Sequence, residues 1–155
     1  MPQRPPFVIA RLCDRPGLIP DLVVLYQAVW PAWYGPDGPG DALSDLTERN
    51  RDAGFPMGLV ALLGDQPVGV AGLAAQSFGS MAGEGPWLIG LAVDPAFRRR
   101  GCGAALVARA EAEMRGQASW LYGTTDAAAV LLTRRGWVDL RRAGEGPDRV
   151  YRLTL

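Results

Sequence analysis

Three runs of residues, at positions 58–63, 68–73 and 87–93, are apolar throughout. A strand with one face in water alternates apolar with polar residues, whereas a strand covered on both faces carries no such alternation. The residues between the first two runs, Gly-Asp-Gln-Pro at 64–67, are typical of a tight turn. The pattern therefore predicts the centre of a sheet with helices packed against both of its faces.

Weaker patterns on both sides of these runs predict the remaining elements. Apolar residues recur at helical spacing from Leu22 to Val29, behind a Pro20 suited to a first helical turn, and residues 33–40 predict a turn-rich loop. Further strands are predicted at 7–12, 119–124, 137–141 and 149–155, the last two as an antiparallel pair, and further helices at 41–51, from 101 or 103 to 115, and from a cap at Asp126 to about 135. The order of these strands and helices along the chain predicts a mixed sheet in one domain over residues 1–155.

Composition excludes several classes of function. Sixteen basic residues balance sixteen acidic ones, so we expect no general attraction to nucleic acid or to an anionic membrane. The chain has no histidine, and every basic residue is arginine. Ser-His-Asp and Cys-His catalysis, Schiff-base lysines and the lysine of a Walker loop are therefore excluded.

Cysteine usage and the terminal sequence predict where the protein works. Cys13 and Cys102 form no Cys-x-x-Cys pair, which favours a reduced, cytoplasmic protein without a metal framework. Residues 1–6 lack the apolar core of a signal peptide, and the most apolar region, 57–75, is interrupted by the turn at 64–67. We therefore expect neither a metal nor a membrane partner.

The segment at 94–106, Asp-Pro-Ala-Phe-Arg-Arg-Arg-Gly-Cys-Gly-Ala-Ala-Leu, carries the clearest chemistry in the sequence. It joins a buried strand to a helix through a short loop that has three arginines and two glycines. A helix N-terminus presents free N–H groups and a positive dipole end, and glycine lets an anion approach the backbone closely. Arginines add charge and paired donors for phosphate oxygens. The segment therefore predicts a site for a phosphate or diphosphate.

Other glycine-rich phosphate loops fit this segment less well. A dinucleotide fingerprint needs a third glycine where Leu106 stands, and it belongs early in a βαβ unit. A Walker loop needs a lysine, which the chain lacks. A basic surface turn without a ligand is the structural alternative.

The pattern Arg98-x-x-Gly101-x-Gly103, after a strand ending in Leu-Ala-Val-Asp-Pro at 91–95, resembles the acyl-CoA motif of the GNAT N-acetyltransferase superfamily. The similarity extends to the Gly-Trp pair at 136–137, and the order of elements agrees over nearly the whole chain. The resemblance implies the GNAT fold, of class α/β (α+β): a central mixed, mostly antiparallel, twisted sheet of about 6–7 strands flanked by about four helices. It also implies acetyl-CoA as co-substrate.

The resemblance assigns residues to the co-substrate. Backbone N–H groups between Arg99 and Ala104 would hold the diphosphate, and Arg99 or Arg100 would reach the 3′-phosphate or remain in solvent. Strand residues Leu91 and Val93 would offer backbone groups to the pantetheine arm. The cofactor-binding set implied is Leu91, Val93, Arg98, Arg99, Arg100, Gly101, Cys102, Gly103 and Ala104, in which we expect Cys102 to be a packed side chain rather than a reactive one.

The reaction implied is direct attack of a primary amine on the acetyl thioester. Glu84, just before the strand at 87–93, is the first candidate for the general base, with Asp41, Asp45 and Glu48 as further candidates. Many family members place a tyrosine as general acid where this chain has Leu132. The leaving thiolate would then be protonated by water or by another group such as Tyr122.

The loop where the family positions acceptors contains Trp30, Trp33 and Tyr34. These side chains could form an aromatic wall for the amine, or they could pack in the core or in a lid. We expect a small-molecule amine as the acceptor and a homodimer as a possible assembly. The competing function is a non-catalytic or regulatory acyl-CoA-binding module, which the leucine at 132 favours. A generic nucleotide-binding domain is a third alternative.

Overall fold

The computed structural model describes residues 7–155, so the prediction for residues 1–6 lies outside it. Its strands are β1 (Phe7–Arg11), β2 (Met57–Leu63), β3 (Gln66–Ala74), β4 (Trp87–Val93), β5 (Trp120–Thr125), β6 (Val138–Arg142) and β7 (Arg149–Thr154). Its α-helices are α1 (Ile19–Val29), α2 (Pro31–Tyr34), α3 (Ala42–Glu48), α4 (Cys102–Met114) and α5 (Ala129–Arg134). Short 3₁₀ turns occupy Leu12–Asp14, Pro16–Leu18 and Pro95–Phe97.

The seven strands form one sheet in the order β1-β2-β3-β4-β5-β7-β6. All neighbours are antiparallel except β4 and β5, which run parallel. The last two strands pair with each other, as predicted, but β7 also inserts between β5 and β6. The mixed, mostly antiparallel sheet of class α/β is therefore confirmed.

Helices cover both faces of the sheet, which explains the apolar runs. On one face, Leu59 and Leu73 pack with Leu106 and Val107 of α4. On the other face, the alternate residues of the same strands pack in a second cluster with α1 and α3: Val60, Leu62, Val70, Leu22, Tyr26 and Leu46. Both sets of strand residues are buried because each face of the sheet has its own helical layer.

Two local expectations were wrong. Of the segment predicted as a loop, 33–40, the first two residues belong to a helical turn, α2, because Pro31 suits the first position of a helix and its carbonyl accepts from the amide of Gly35. Asp126 does not cap α5 with its side chain. The hydroxyl of Thr125, one residue before Asp126, accepts a 3.0 Å hydrogen bond from the amide of Ala128 instead.

Within residues 7–155, no helix combines the length and the apolar character needed to cross a bilayer.

Candidate active site

Strands β4 and β5 part after only two paired residues. Trp87 faces Tyr122 and Leu88 faces Gly123, and no pair follows along the two strands within residues 7–155. Beyond this point a β-bulge interrupts the pairing of β4 with β3, with Gly90 at a φ of 57°. A bulge bends its strand, so β4 turns away from β5. A cavity of about 350 Å³ opens there, which we call the strand cleft; its lining includes Trp30, Leu91, Gly123, Asp126, Leu132 and Asp148.

The loop after β4 ends in a set of free backbone donors. Helix α4 begins after Gly101, which has a φ of 87°, and no side chain caps it. The first hydrogen bond of the helix runs from the amide of Ala105 to the carbonyl of Gly101. The amides of Cys102, Gly103 and Ala104 are thus unpaired within the helix. Arg99 also has a positive φ, 63°, and such successive turns form anion-binding concavities.

The three arginines of this loop are exposed, but they differ in what they contact. Arg98 folds back, because its Nε donates a 3.2 Å hydrogen bond to the carbonyl of Val93. Arg100 lies over the ring of Phe97, with 5.4 Å between the guanidinium carbon and the ring centroid. The loop therefore places positive charge around the free amides while Arg98 also ties the loop to the end of β4.

Cys102 lies at the start of α4 but is 1% exposed. Its sulfur occupies the space above Gly69, where a Cβ atom would come within 2.8 Å of it. Burial raises the pKa of the Cys102 thiol to about 11. The side chain is therefore packed as a small apolar group, in agreement with the expectation from the sequence.

A cluster on the α1 side of the sheet holds the bulge of β4. The hydroxyl of Tyr26 donates a 2.8 Å hydrogen bond to the carbonyl of Gly90 and accepts one of 2.5 Å from Nη1 of Arg49. Neither side chain was singled out from the sequence. Tyr26 follows the apolar spacing of α1, which is typical of a core residue. Arg49 stands in the polar run Glu-Arg-Asn-Arg at 48–51, which is typical of a solvated surface.

A second cavity of about 240 Å³, which we call the α3 cleft, opens beside this cluster; its lining is Asp45, Glu48, Arg49, Phe55, Pro56, Ala74, Ala75 and Ile89. Ile89 also lines the strand cleft, so the two cavities share a wall residue next to the bulge of β4. Two of the carboxylates considered for the general base, Asp45 and Glu48, therefore face a space next to the parted strands. Asp41 instead caps α3, where its carboxylate accepts from the amide of Ser44 at 3.0 Å.

The three aromatic residues predicted to meet an acceptor contact one another through Tyr34, whose ring centroid lies 6.3 Å from that of Trp30 and 6.5 Å from that of Trp33, but only Trp30 lines one of the two clefts. Trp30 lines the strand cleft, and its ring centroid lies 5.3 Å from that of Tyr26. Tyr34 stacks on Tyr26 at 5.2 Å and donates a 2.7 Å hydrogen bond to Asp45. Trp33 is 54% exposed and lines neither cleft.

Glu84 lies outside both clefts and is held by an ion pair. Its carboxylate accepts from both terminal nitrogens of Arg141, at 2.8 and 2.5 Å, and from the amide of Met81 at 2.8 Å. The hydrogen bonds from Arg141 lower the pKa of Glu84. A carboxylate with a lowered pKa is a weaker base. The ion pair with Arg141 therefore argues against Glu84 as the general base, and that role stays a prediction.

Leu132 is 1% exposed overall and contributes to the wall of the strand cleft. Tyr122, the other group considered for protonating a thiolate, is 5% exposed and stacks on Trp87 with the ring centroids 5.1 Å apart. Asp126 and Asp148 are the ionisable residues of the cleft lining. Leu132 itself has no ionisable group, so it cannot protonate a thiolate.

Comparison with known proteins agrees with this geometry. The model of the Acetyltransferase (GNAT) family matches residues 22–137. Solved structures with the same fold include an aminoglycoside 6′-N-acetyltransferase from Enterococcus faecium, 19% identical, with a TM-score of 0.74 over 95% of this chain and 96% of that one.

Two further structures contain coenzyme A. One is an aminoglycoside 6′-N-acetyltransferase, 18% identical, with a TM-score of 0.72 over 95% of this chain and 96% of that one. The other is the PaiA N-acetyltransferase from Thermoplasma acidophilum, 14% identical, with a TM-score of 0.71 over 97% and 99%. Comparison of the sequence with curated proteins gives no significant match.

Proposed function

Because the chain belongs to the GNAT acetyltransferase family, we propose that it moves an acetyl group from acetyl-CoA to the primary amine of a small molecule. The observation that carries the proposal is the parting of β4 from β5 beside a loop of free amides. An extended pantetheine arm fits between diverging strands, whose backbone groups have lost their partners. In this proposal, residues 1–155 form one catalytic domain.

In this proposal the free amides of Cys102, Gly103 and Ala104 bind the diphosphate of coenzyme A. The positive end of α4 and the exposed side chains of Arg99 and Arg100 add favourable charge. Arg98 acts mainly on the loop, since its guanidinium bonds to the carbonyl of Val93. Leu91, which lines the strand cleft, lies along the path of the arm toward the bulge.

The acceptor amine attacks the carbonyl carbon of the thioester near the bulge, beside Ile89, which borders both clefts. A C–N bond forms, the C–S bond of the tetrahedral intermediate breaks, and coenzyme A leaves as a thiolate. In this proposal, backbone N–H groups of β4 at the bulge stabilise the oxyanion. The thiolate takes a proton from water, because Leu132 in the cleft wall has none to give.

The amine must lose a proton in this reaction. A primary amine with a pKa of about 10.4 is mostly protonated at neutral pH, so a nearby carboxylate helps first by attracting the ammonium and then by taking the proton. Glu48 is suited to this because it lines the α3 cleft and its carboxylate makes no side-chain hydrogen bond within residues 7–155. Asp45 is already bonded to Tyr34.

A second function, an acyl-CoA-binding module without turnover, is favoured by Leu132. Such a module would use the same amides and the same strand cleft, but it would need no acceptor. The two functions agree on binding of acetyl-CoA and differ in whether any amine promotes release of the free thiol.

The test combines calorimetry with acetyl-CoA and measurement of thiol release over a panel of amines. For the unchanged protein we expect saturable, amine-dependent release of the free thiol. In a Gly103→Glu variant, repulsion between the new carboxylate and the phosphates should lower the affinity for acetyl-CoA at least about tenfold. The matched control is Gly17→Glu, since nothing lies within 4 Å of a Cβ atom there. Binding without turnover for any amine supports the module, and absence of binding overturns both functions.

A further inference from the structure

The side chain of Arg49 runs across three strands in a groove made by glycines. A Cβ atom on Gly58 of β2 would lie 3.4 Å from Cβ of Arg49, and one on Gly72 of β3 would lie 3.3 Å from its Cδ. Gly58 and Gly72 are cross-strand partners. At the far end, a Cβ atom on Gly90 of β4 would lie 2.7 Å from Nη1 of Arg49. The glycines thus leave room for the side chain to carry its charge to the bulge.

The guanidinium of Arg49 is buried there without a carboxylate partner. The residue is 7% exposed, yet no acidic oxygen lies within 4 Å of its nitrogens in the part of the chain from 7 to 155. By contrast, the half-buried Arg135 and Arg141 are both paired with glutamates. A buried charge is normally paired, because removal from water is costly. Among residues 7–155, the guanidinium of Arg49 thus has the ring of Tyr26 beside it, 5.6 Å from its carbon to the ring centroid, but no balancing carboxylate.

Two nitrogens of the Arg49 guanidinium have no hydrogen-bond partner among residues 7–155. Nη1 is occupied by the hydroxyl of Tyr26, while Nε and Nη2 bond to no group within residues 7–155. No fully buried side-chain nitrogen or oxygen in this range lacks a partner, so these two nitrogens must reach open space. Arg49 lines the α3 cleft, so we infer that these nitrogens open into it. Nε and Nη2 form the edge of the guanidinium that binds a carboxylate with two parallel hydrogen bonds.

We propose that Arg49 is the specificity-determining residue of the acceptor site, and that it binds a carboxylate carried by the acceptor next to its amine. The acceptor is then a small, amino-acid-like zwitterion rather than a simple amine. This inference rests on the proposed acetyl transfer and names its substrate class.

The rest of the cleft fits the other half of such a molecule. Asp45 and Glu48 line the same cavity and attract an ammonium group, while Ile89 borders both this cavity and the strand cleft. An acceptor anchored through its carboxylate at Arg49 is therefore held with its amine between acidic residues and the thioester. At about 240 Å³, the cavity is below the roughly 300–1,000 Å³ of pockets for drug-sized ligands, which favours a small acceptor.

The test compares L-amino acids with the matching L-amino acid amides, which keep the amine and the side chain but lack the carboxylate. For the unchanged protein we expect kcat/KM at least about tenfold higher for the acids than for the amides, the effect of losing a bond to a charged group. Direct calorimetric titration of the acids and amides in the presence of coenzyme A should show the same order.

The Arg49→Gln variant should lose this preference for acids over amides, and Arg49→Lys should retain part of it, while both still bind acetyl-CoA. Arg51→Gln is the matched control, because Arg51 is exposed two residues further along. Equal use of acids and amides by the unchanged protein overturns the proposal without needing any variant to fold. The proposal is also overturned if the protein binds acetyl-CoA but neither binds nor acetylates any of the amino acids or amides. Failure to bind acetyl-CoA would instead be a failure of the proposed function.

Discussion

The hydroxyl of Tyr26 on α1 donates its hydrogen bond to the carbonyl of Gly90, the residue at which β4 bends. The same oxygen accepts from Arg49, so one buried phenol connects a helix, the bulge and a guanidinium. Burial raises the pKa of Tyr26, which therefore stays a donor throughout the physiological range. The shape of the strand cleft depends on this contact because it fixes the direction in which β4 leaves β5.

Replacement of Tyr26 by phenylalanine should loosen the bulge without emptying the core. Loss of the hydroxyl leaves the Gly90 carbonyl and Nη1 of Arg49 without their partner, so we expect a loss of about 1–3 kcal/mol in the free energy of unfolding. The affinity for acetyl-CoA should fall less than kcat. Tyr34→Phe is the control, since it removes a hydroxyl bonded to Asp45 rather than to the bulge. Denaturant titration and steady-state kinetics measure both effects, and an unchanged stability would contradict the role of this hydroxyl.

Local patterns made much of this fold predictable. The bounds of β4 agree with the apolar run at 87–93, and the buried face of α4 follows its helical spacing, because both signals lie in contiguous residues. The free amides at the start of α4 were likewise predictable from two glycines after a strand. The position of β7 between β5 and β6 was not, since pairing between distant strands has no local signature.

The contacts of single side chains at the site were the least predictable part. Arg49 looked like one charge in a polar run, and its groove exists only because glycines at 58, 72 and 90 meet across three strands. Glu84 looked like a free loop carboxylate because its partner, Arg141, is 57 residues further along the chain. Both cases depend on the tertiary structure rather than on spacing.

Glu84 and Arg141 should act as a structural pair. Their side chains are 15% and 28% exposed, and the pair ties the loop before β4 to β6. We expect Glu84→Gln and Arg141→Met each to destabilise the protein by about 1–3 kcal/mol at neutral pH, with kcat changed less than tenfold. A loss of about a hundredfold or more in kcat for Glu84→Gln alone would instead support the general base predicted from the sequence.

The pH dependence of this pair has a defined sign. The pKa of Glu84 is lowered from its ordinary value of 4.5 in the folded protein, so the ion pair stabilises fully above pH 4.5. The contribution is lost as the pH falls through the lower, folded value. The difference in unfolding free energy between the unchanged protein and Glu84→Gln should therefore be constant near neutrality and shrink in acid. A difference that grows in acid would contradict the assignment.

Glu111 should be the most sensitive acidic residue of the fold. It is 2% exposed and accepts from Nε and Nη2 of Arg135, both at 2.9 Å, and from the indole of Trp137 at 3.1 Å. Glu111→Leu leaves Arg135 without its partner, and we expect a loss of about 3–5 kcal/mol.

The double variant Glu111→Leu with Arg135→Met should recover part of that loss, because it removes the unpaired charge as well. Thermal unfolding of both single variants and the double variant measures the coupling. Additive losses, with no recovery in the double variant, would show that the pair contributes little.

Cys102 should be inert toward alkylation and should not carry an acetyl group during turnover. With a pKa raised to about 11 by burial, it holds almost no thiolate at pH 8. Iodoacetamide treatment of the folded protein should label Cys13, which is partly exposed, well before Cys102. Mass spectrometry after incubation with acetyl-CoA should find no acetylated cysteine. Stoichiometric acetylation of Cys102 would overturn the direct attack proposed here and require a covalent intermediate.

Gly101 should be required for its backbone conformation rather than for space. Nothing lies within 4 Å of a Cβ atom built on it, but its φ is 87°, a conformation that side chains oppose. We expect Gly101→Ala to cost about 1–2 kcal/mol of stability and to weaken binding of acetyl-CoA, because relief of the strain turns the neighbouring amides away from the phosphates. Gly146→Ala, with equal space and no positive φ, is the control and should change neither quantity by more than a few tenths of a kcal/mol. Thermal unfolding and calorimetry separate the two effects: a variant that loses stability yet binds acetyl-CoA with unchanged affinity would show that the amides beyond Gly101 do not hold the phosphates.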